Sequence, residues 1–159
     1  MTDQLICPTC ESANVRTVAA RRTVRARDGR VLPYRDWLTA CSACGERFYT
    51  HEQALASGRS EAGAVRHYEG LLTPREIRAI RETYGLTQDD LERLLRVGPK
   101  TVVRWERGTV CQSAAVDTLL ALLRDEPAAA ARLAARAGIS LRASPRRRTR
   151  AQSGAQARG

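Results

Sequence analysis

The sequence predicts an α+β protein of two modules: a small β-rich, four-cysteine zinc-binding module, then an all-α, five-helix helix-turn-helix domain. Three observations carry this. Two Cys-x-x-Cys pairs, Cys7/Cys10 and Cys41/Cys44, lie in the first 50 residues among short β-patterned runs. From Thr73 onward the apolar period becomes helical and stays so. Two of the later helices are short and separated by only a few residues, the spacing of a helix-turn-helix. At 159 residues there is room for two small domains. The boundaries read 1–50 for the zinc module, 51–72 for a short helix and linker, 73–141 for the helical domain, and 142–159 for an arginine-rich tail.

In the first module "VRTVAARRTVR" and "VLPYRDWL" read as strands flanking "RDGR", where Asp28-Gly29 is a two-residue hairpin signal. "ERFYT" (46–50) is a further short strand. Thr50 and Gln53 form a capping box for a helix through "HEQALASG", and Gly58, Gly63 and Gly70 argue against a long one. Thr73-Pro74-Arg75-Glu76 then combines an N-cap, proline at the first helical position and a glutamate three after the cap. Ile77, Ile80 and Tyr84 supply its apolar face, and Gly85 closes it. Thr87 caps a second helix with Asp89 and Asp90 in its first turn, where the macrodipole favours acids, and Leu91, Leu94 and Leu95 face inward. Pro99 opens a third, with Val102 and Trp105 inward and Gly108 at its end. Gln112 to Arg124 makes a fourth through Val116, Leu119, Leu120 and Leu123. "PAAAARLAARAG", from Pro127 to Gly138, makes a fifth.

Two residues between paired cysteines let a tight turn place both sulfurs on one tetrahedral ion at about 2.3 Å, the geometry of structural zinc. Cys7, Cys10, Cys41 and Cys44 are therefore read as ligands of one structural Zn2+ per chain. Gly45 suits the second knuckle because it takes positive φ without strain, a freedom Glu11 lacks after the first. Loop closure grows only logarithmically, so the long intervening segment adds about half a kcal/mol, against roughly 10–16 kcal/mol for zinc. Four thiolates leave no open position for water, so a catalytic metal is disfavoured. A redox pair needs a thioredoxin-like βαβ pattern, which is missing. His51 is an outside candidate to replace a cysteine, His67 reads as a surface or linker histidine, and Cys111 as a buried, inert thiol.

Charge sharpens the helical reading. The net charge is +10, but residues 142–159 hold six arginines and no acid, which leaves 21 basic and 17 acidic residues, or +4, for the body. That tail has no large apolar residue and is expected to be disordered. Residues 73–126 carry nine basic and nine acidic residues, whereas Arg96, Lys100, Arg104 and Arg107 gather around one helix with a single acid, Glu106. Lys100 and Arg104, four apart, share an outer face with Pro99, Thr101 and Val103 near them. A recognition helix has this pattern, with its N-terminal polar side chains turned to base edges. Aromatics at 4% are too few for a single-strand stacking platform. There is no convergent acid, base or nucleophile set, so the chain does not read as an enzyme. Nothing reads as a membrane span or a secretory signal, and five cysteines without disulfide context fit a reducing cytoplasm.

"LTQDDLERLLRVGPKTVVRWERG" (86–108) resembles the Cro/repressor-type (Xre) helix-turn-helix in its Leu-Thr-Gln opening and Arg-Trp-Glu-x-Gly close. Preceded by Cys-Pro-x-Cys and Cys-x-x-Cys-Gly-Glu, it is similar to the MqsA family of antitoxins with a YgiT-type zinc finger, over about residues 5–126. The resemblance implies a homodimer on a palindromic operator in double-stranded DNA, usually its own promoter. It also implies that the zinc module neutralises a protein toxin, an mRNA interferase in the best-known members. Carried over, it assigns zinc to the four cysteines, base contacts to Lys100 and Arg104, and a phosphate-facing or helix-bracing role to Gln88. Lys100 stands where an asparagine reads a base in the best-known members, so guanine replaces adenine as the preferred partner. Arg96 stands at a turn position usually held by glycine, which makes the turn looser or strained. The expected DNA-facing set is Gln88, Pro99, Lys100, Thr101, Val103, Arg104 and Arg107. The leading function is thus an autoregulating repressor acting as a type II antitoxin, cytoplasmic and nucleoid-associated when bound to DNA. The alternatives are a stand-alone zinc-containing regulator without a toxin, or an RNA- or ribosome-associated zinc-ribbon adaptor.

Overall fold

The computed structural model describes residues 5–142; most of the arginine-rich tail lies outside the described residues. Strands β1 (Val15–Arg25) and β2 (Val31–Cys41) form an antiparallel hairpin in unbroken register from Val15↔Cys41 to Arg25↔Val31, and β3 (Arg47–Phe48) adds a short edge beside β2. The turn differs from the two-residue expectation. Ala26 N–H donates to Arg30 O and Gly29 N–H to Ala26 O, with Gly29 at φ 89°, so the loop holds three residues and ends in a left-handed position.

Asp36 is buried at the centre of this module, where it accepts hydrogen bonds from the Trp37 N–H and the Tyr49 hydroxyl, with Arg22 at 3.6 Å. Burial raises its pKa, yet hydrogen bonds from Tyr49, Ser57 and Trp37 and the Arg22 charge outweigh that and hold it below the ordinary value.

The expected short helix and linker form one continuous helix, α1 (His51–Glu69), the first of six helices in the described residues. Its start is the Thr50–Gln53 capping box, and Gly70 closes it at φ 65°. The glycines inside it are offset by packing on both sides. Tyr34 donates to Glu61 from β2, and the Cys111 thiol donates to Ala62 O at 3.0 Å from the helical domain.

Five helices follow: α2 (Pro74–Thr83), α3 (Gln88–Leu95), α4 (Thr101–Glu106), α5 (Ala114–Asp125) and α6 (Pro127–Ala137). Thr73 and Thr87 both cap with full boxes, through Glu76 and Asp90. Their apolar faces close one core, with Ile77, Leu91, Val102, Leu120 and Leu123 at 0–1% exposure. Tyr84 joins α2 to α5 by donating its hydroxyl to Leu123 O, and the chain after α6 returns so that Arg142 N–H donates to Tyr84 O. No helix of the described residues is long and apolar enough to cross a membrane.

Candidate metal centre and helix-turn-helix surface

The hairpin explains the long gap between the cysteine pairs. The intervening chain runs out along β1 and back along β2, so Cys41 returns opposite Val15, close to the first knuckle. Each pair sits in a tight turn: Glu11 N–H donates to Cys7 O at 3.0 Å, and Gly45 N–H to Cys41 O at 3.1 Å. Gly45 has φ 79°, as expected, and Glu11 adopts φ 60°, so the first knuckle makes the same turn at the cost of a strained non-glycine residue.

The geometry fits a metal. Cys7 Sγ lies 3.6 Å from Cys44 Sγ, Cys10 Sγ lies 3.7 Å from Cys41 Sγ, and all four sulfurs lie within 4.8 Å of one another. Four ligands at about 2.3 Å from a tetrahedral ion are about 3.8 Å apart, so the quartet is positioned to bind a metal ion. Cys7 and Cys41 are buried while Cys10 and Cys44 face solvent. Their acidities are spread widely. Backbone N–H groups of Cys44 and Ala43, with hydrogen bonds from Cys10 and Cys44, bring Cys41 down to about 7. The Glu46 N–H pulls Cys44 down, but Cys10, burial, Cys7 and Cys41 together push it up to about 12. Sulfurs this close resist collecting negative charge, which a cation among them would relieve. His51 is the first residue of α1 and stands outside this cluster. The Cys111 thiol is pushed up by burial, the opposite of a reactive thiolate.

The second surface is built on α3 and α4. Pro99 does not open α4. Lys100 is the N-cap, in the left-handed region at φ 60°, and the helix begins at Thr101. Arg96 ends α3 at φ 55°, in the conformation its glycine-like position demands. The expected inner residues are buried, Val102 at 0% and Trp105 at 4% exposure. Lys100, Arg104 and Arg107 are exposed, and Thr101 and Val103 are half-buried beside them. Arg104 Nε donates back to Lys100 O at 3.3 Å.

Two buried carboxylates hold this arrangement. Glu106 accepts hydrogen bonds from Arg81 Nε at 2.6 Å and Gln88 Nε2 at 2.8 Å, with Arg78 Nε at 3.4 Å, tying α2, α3 and α4 together. Burial raises its pKa, but the bonds from Arg81 and Gln88 and the arginine charges outweigh it and keep it depressed. Gln88 therefore braces the helices through its amide nitrogen, one of its two expected roles. Glu92, on α3, was not visible as a functional residue in the sequence. Lys100 has no side-chain cap of its own; instead Glu92, 5% exposed, accepts the Lys100 N–H at 3.1 Å and the Val102 N–H at 2.9 Å. It caps α4 from the preceding helix. The only sequence signal was an acid eight residues before Lys100, hidden in the run Asp89-Asp90-Leu91-Glu92.

A four-cysteine cluster on a hairpin, joined through a long helix to a bundle of five shorter ones, defines a two-module α+β protein. The chain belongs to the MqsA family, the antitoxin component of a bacterial toxin-antitoxin system, whose family model matches residues 5–132. No individual curated protein matches the chain. Family membership gives it an antitoxin role and implies a toxin as its partner.

Proposed function

We propose that this antitoxin is a sequence-specific DNA-binding repressor of its own operon, a homodimer on a palindromic operator, with a structural zinc ion in the cysteine quartet. The observation that carries the reading is the outer side of α4, where Lys100, Arg104 and Arg107 are exposed while both nearby glutamates are buried and engaged elsewhere. Lys100 and Arg104 are the base-reading pair, each suited to guanine O6 and N7. Pro99, Thr101 and Val103 lie against the same groove, and Arg107 meets the phosphate backbone. Gln88 acts at one remove, by bracing Glu106. Half-sites about 34–36 Å apart match a two-fold dimer of recognition helices.

Zinc suits the four thiolates by ligand softness and tetrahedral spacing, and there it would supply folding energy rather than chemistry. The module it organises is proposed as the toxin-binding part. The experiment is selection of duplexes from a random library, followed by Arg104→Ala on the selected site. A loss of about 1–3 kcal/mol confined to the selected sequence is expected. Equal weakening on all sequences would reduce Arg104 to a phosphate contact and remove the base-reading claim.

A further inference from the structure

A cavity of about 370 Å3 opens where the end of α1 meets the segment leading to α2, lined by Gly63, Arg66, His67, Gly70, Leu71 and Thr73. Arg66 is the unusual member. It is 8% exposed, yet among the described residues its side chain makes one hydrogen bond, from Nη2 to Val110 O at 3.4 Å. Its Nε is buried with no partner. No carboxylate of the described residues lies within 4.0 Å of it, whereas Arg81, similarly placed against α4, is paired with Glu106. A guanidinium carries five N–H donors, and burying it without a counter-charge is costly.

The other polar groups on the cavity are already occupied or are donors themselves. The Gly70 and Leu71 N–H groups both donate to Arg66 O, and the Thr73 N–H and hydroxyl both donate to Glu76. What remains is Arg66, whose Nε has no partner and whose Nη2 has only the long bond to Val110 O, and, on the exposed rim, the His67 imidazole. Two acids are nearby: Glu69 is engaged by Arg27, and the Glu76 carboxylate is turned into the Thr73 cap. The cavity thus presents hydrogen-bond donors beside a buried cation that has no carboxylate within 4.0 Å among the described residues. That pattern calls for a multi-oxygen anion, and a guanidinium fork matches two phosphate oxygens.

We propose that this cavity binds a phosphate group, held by Arg66 with His67 at its rim. The group belongs either to a free phosphate-bearing molecule or to a backbone phosphate of duplex DNA; the second source rests on the DNA-binding reading above. Occupancy would fasten α1 to the Thr109–Cys111 segment that leaves α4, because Arg66 already holds Val110 O. Binding should therefore stabilise the junction between the two modules.

The test uses the full metal-loaded chain. Thermal unfolding in sodium phosphate is compared with sodium chloride at matched ionic strength. At tenfold excess over Kd the midpoint should rise about 3–6 °C in phosphate alone. Arg66→Met should abolish the rise, Arg66→Lys should keep part of it, and the surface variant His67→Gln should weaken it without lowering the midpoint in chloride. If Arg66→Met fails to fold, Arg66→Lys and His67→Gln carry the comparison. A backbone source is read separately: His67→Gln and Arg66→Lys would then flatten the salt dependence of binding to a selected duplex by up to about one phosphate's worth. A phosphate-specific rise with an unchanged slope assigns a free ligand. Neither a rise nor a change of slope overturns the site. If the chain binds no duplex at all, the DNA reading fails and the phosphate arm alone decides.

Discussion

Replacing Glu92 by alanine tests how the outer surface of α4 is held. The carboxylate accepts two backbone N–H groups, at 3.1 Å from Lys100 and 2.9 Å from Val102. Hydrogen bonds to a charged group contribute about 1.5–3 kcal/mol each. Val102 is fully buried, so its orphaned N–H gains no water in return. Against this, removing a buried charge relieves its desolvation, which places the net loss in the lower half of the summed range. Glu92→Ala should therefore cost about 3–4 kcal/mol, or about 6–16 °C in midpoint for a chain of this size. Glu92→Gln keeps one acceptor oxygen and should fall between variant and parent. Urea unfolding gives the energy, and amide hydrogen exchange gives the location, with Lys100 and Val102 losing protection first. A Glu92→Ala variant within about 1 kcal/mol of the parent, with both amides still protected, would refute this capping role for Glu92.

Three further outcomes follow from the same geometry. Cys41→Ser, or treatment of the parent with a strong chelator, should remove one metal ion per chain and the cooperative unfolding of the hairpin module; an unchanged transition in metal-free protein would refute a structural metal. Glu106 has a folded pKa depressed below its ordinary 4.5, so its stabilisation is fully present above that value and is lost as pH falls through the folded pKa. Acid unfolding of Glu106→Gln should accordingly be less steep below about pH 4.5 than that of the parent, and superimposable profiles would assign the acid sensitivity elsewhere. Lys100 holds φ 60° without being glycine, so Lys100→Gly should gain about 0.5–1 kcal/mol of stability while losing discrimination at one operator base; a stability loss would show the left-handed turn to be unstrained.

Much of the fold was legible because its signals were local. Thr50, Thr73 and Thr87 each bond the backbone three residues on, so caps and first turns could be placed from spacing alone. The quartet was legible for a similar reason: each knuckle is a four-residue device, and only the meeting of the two needed the hairpin. What failed was decided at a distance. The proline rule put the start of α4 at Pro99, but Glu92 reaches across from α3 and fixes Lys100 in a left-handed turn, so helical backbone begins two residues later. Glycines within 51–69 argued for a break, but contacts from Tyr34 on one side and Cys111 on the other hold α1 continuous.

The same distant contacts change what the charge count means. Residues 73–126 balance nine basic residues against nine acidic ones, and a neutral domain gives little reason for a polyanion to approach. The balance is not spread evenly in space. Glu92 and Glu106 are 5% and 7% exposed, the first engaged by backbone N–H groups and the second by Arg81, Arg78 and Gln88. Glu106 was the one acid set against the four basic residues from Arg96 to Arg107, and its burial leaves those four facing solvent unopposed within that stretch. Glu92 fixes the backbone at the start of α4, and Glu106 ties α4 to α2 and α3, so neither carboxylate stands among the exposed side chains beside Lys100 and Arg104. Within that stretch the exposed charges are therefore all basic, although the domain as a whole is neutral. Exchanging Glu106 for glutamine alters the brace and the charge together, whereas adding an outward carboxylate, as in Val103→Glu, would test the exposed charge and leave both braces in place.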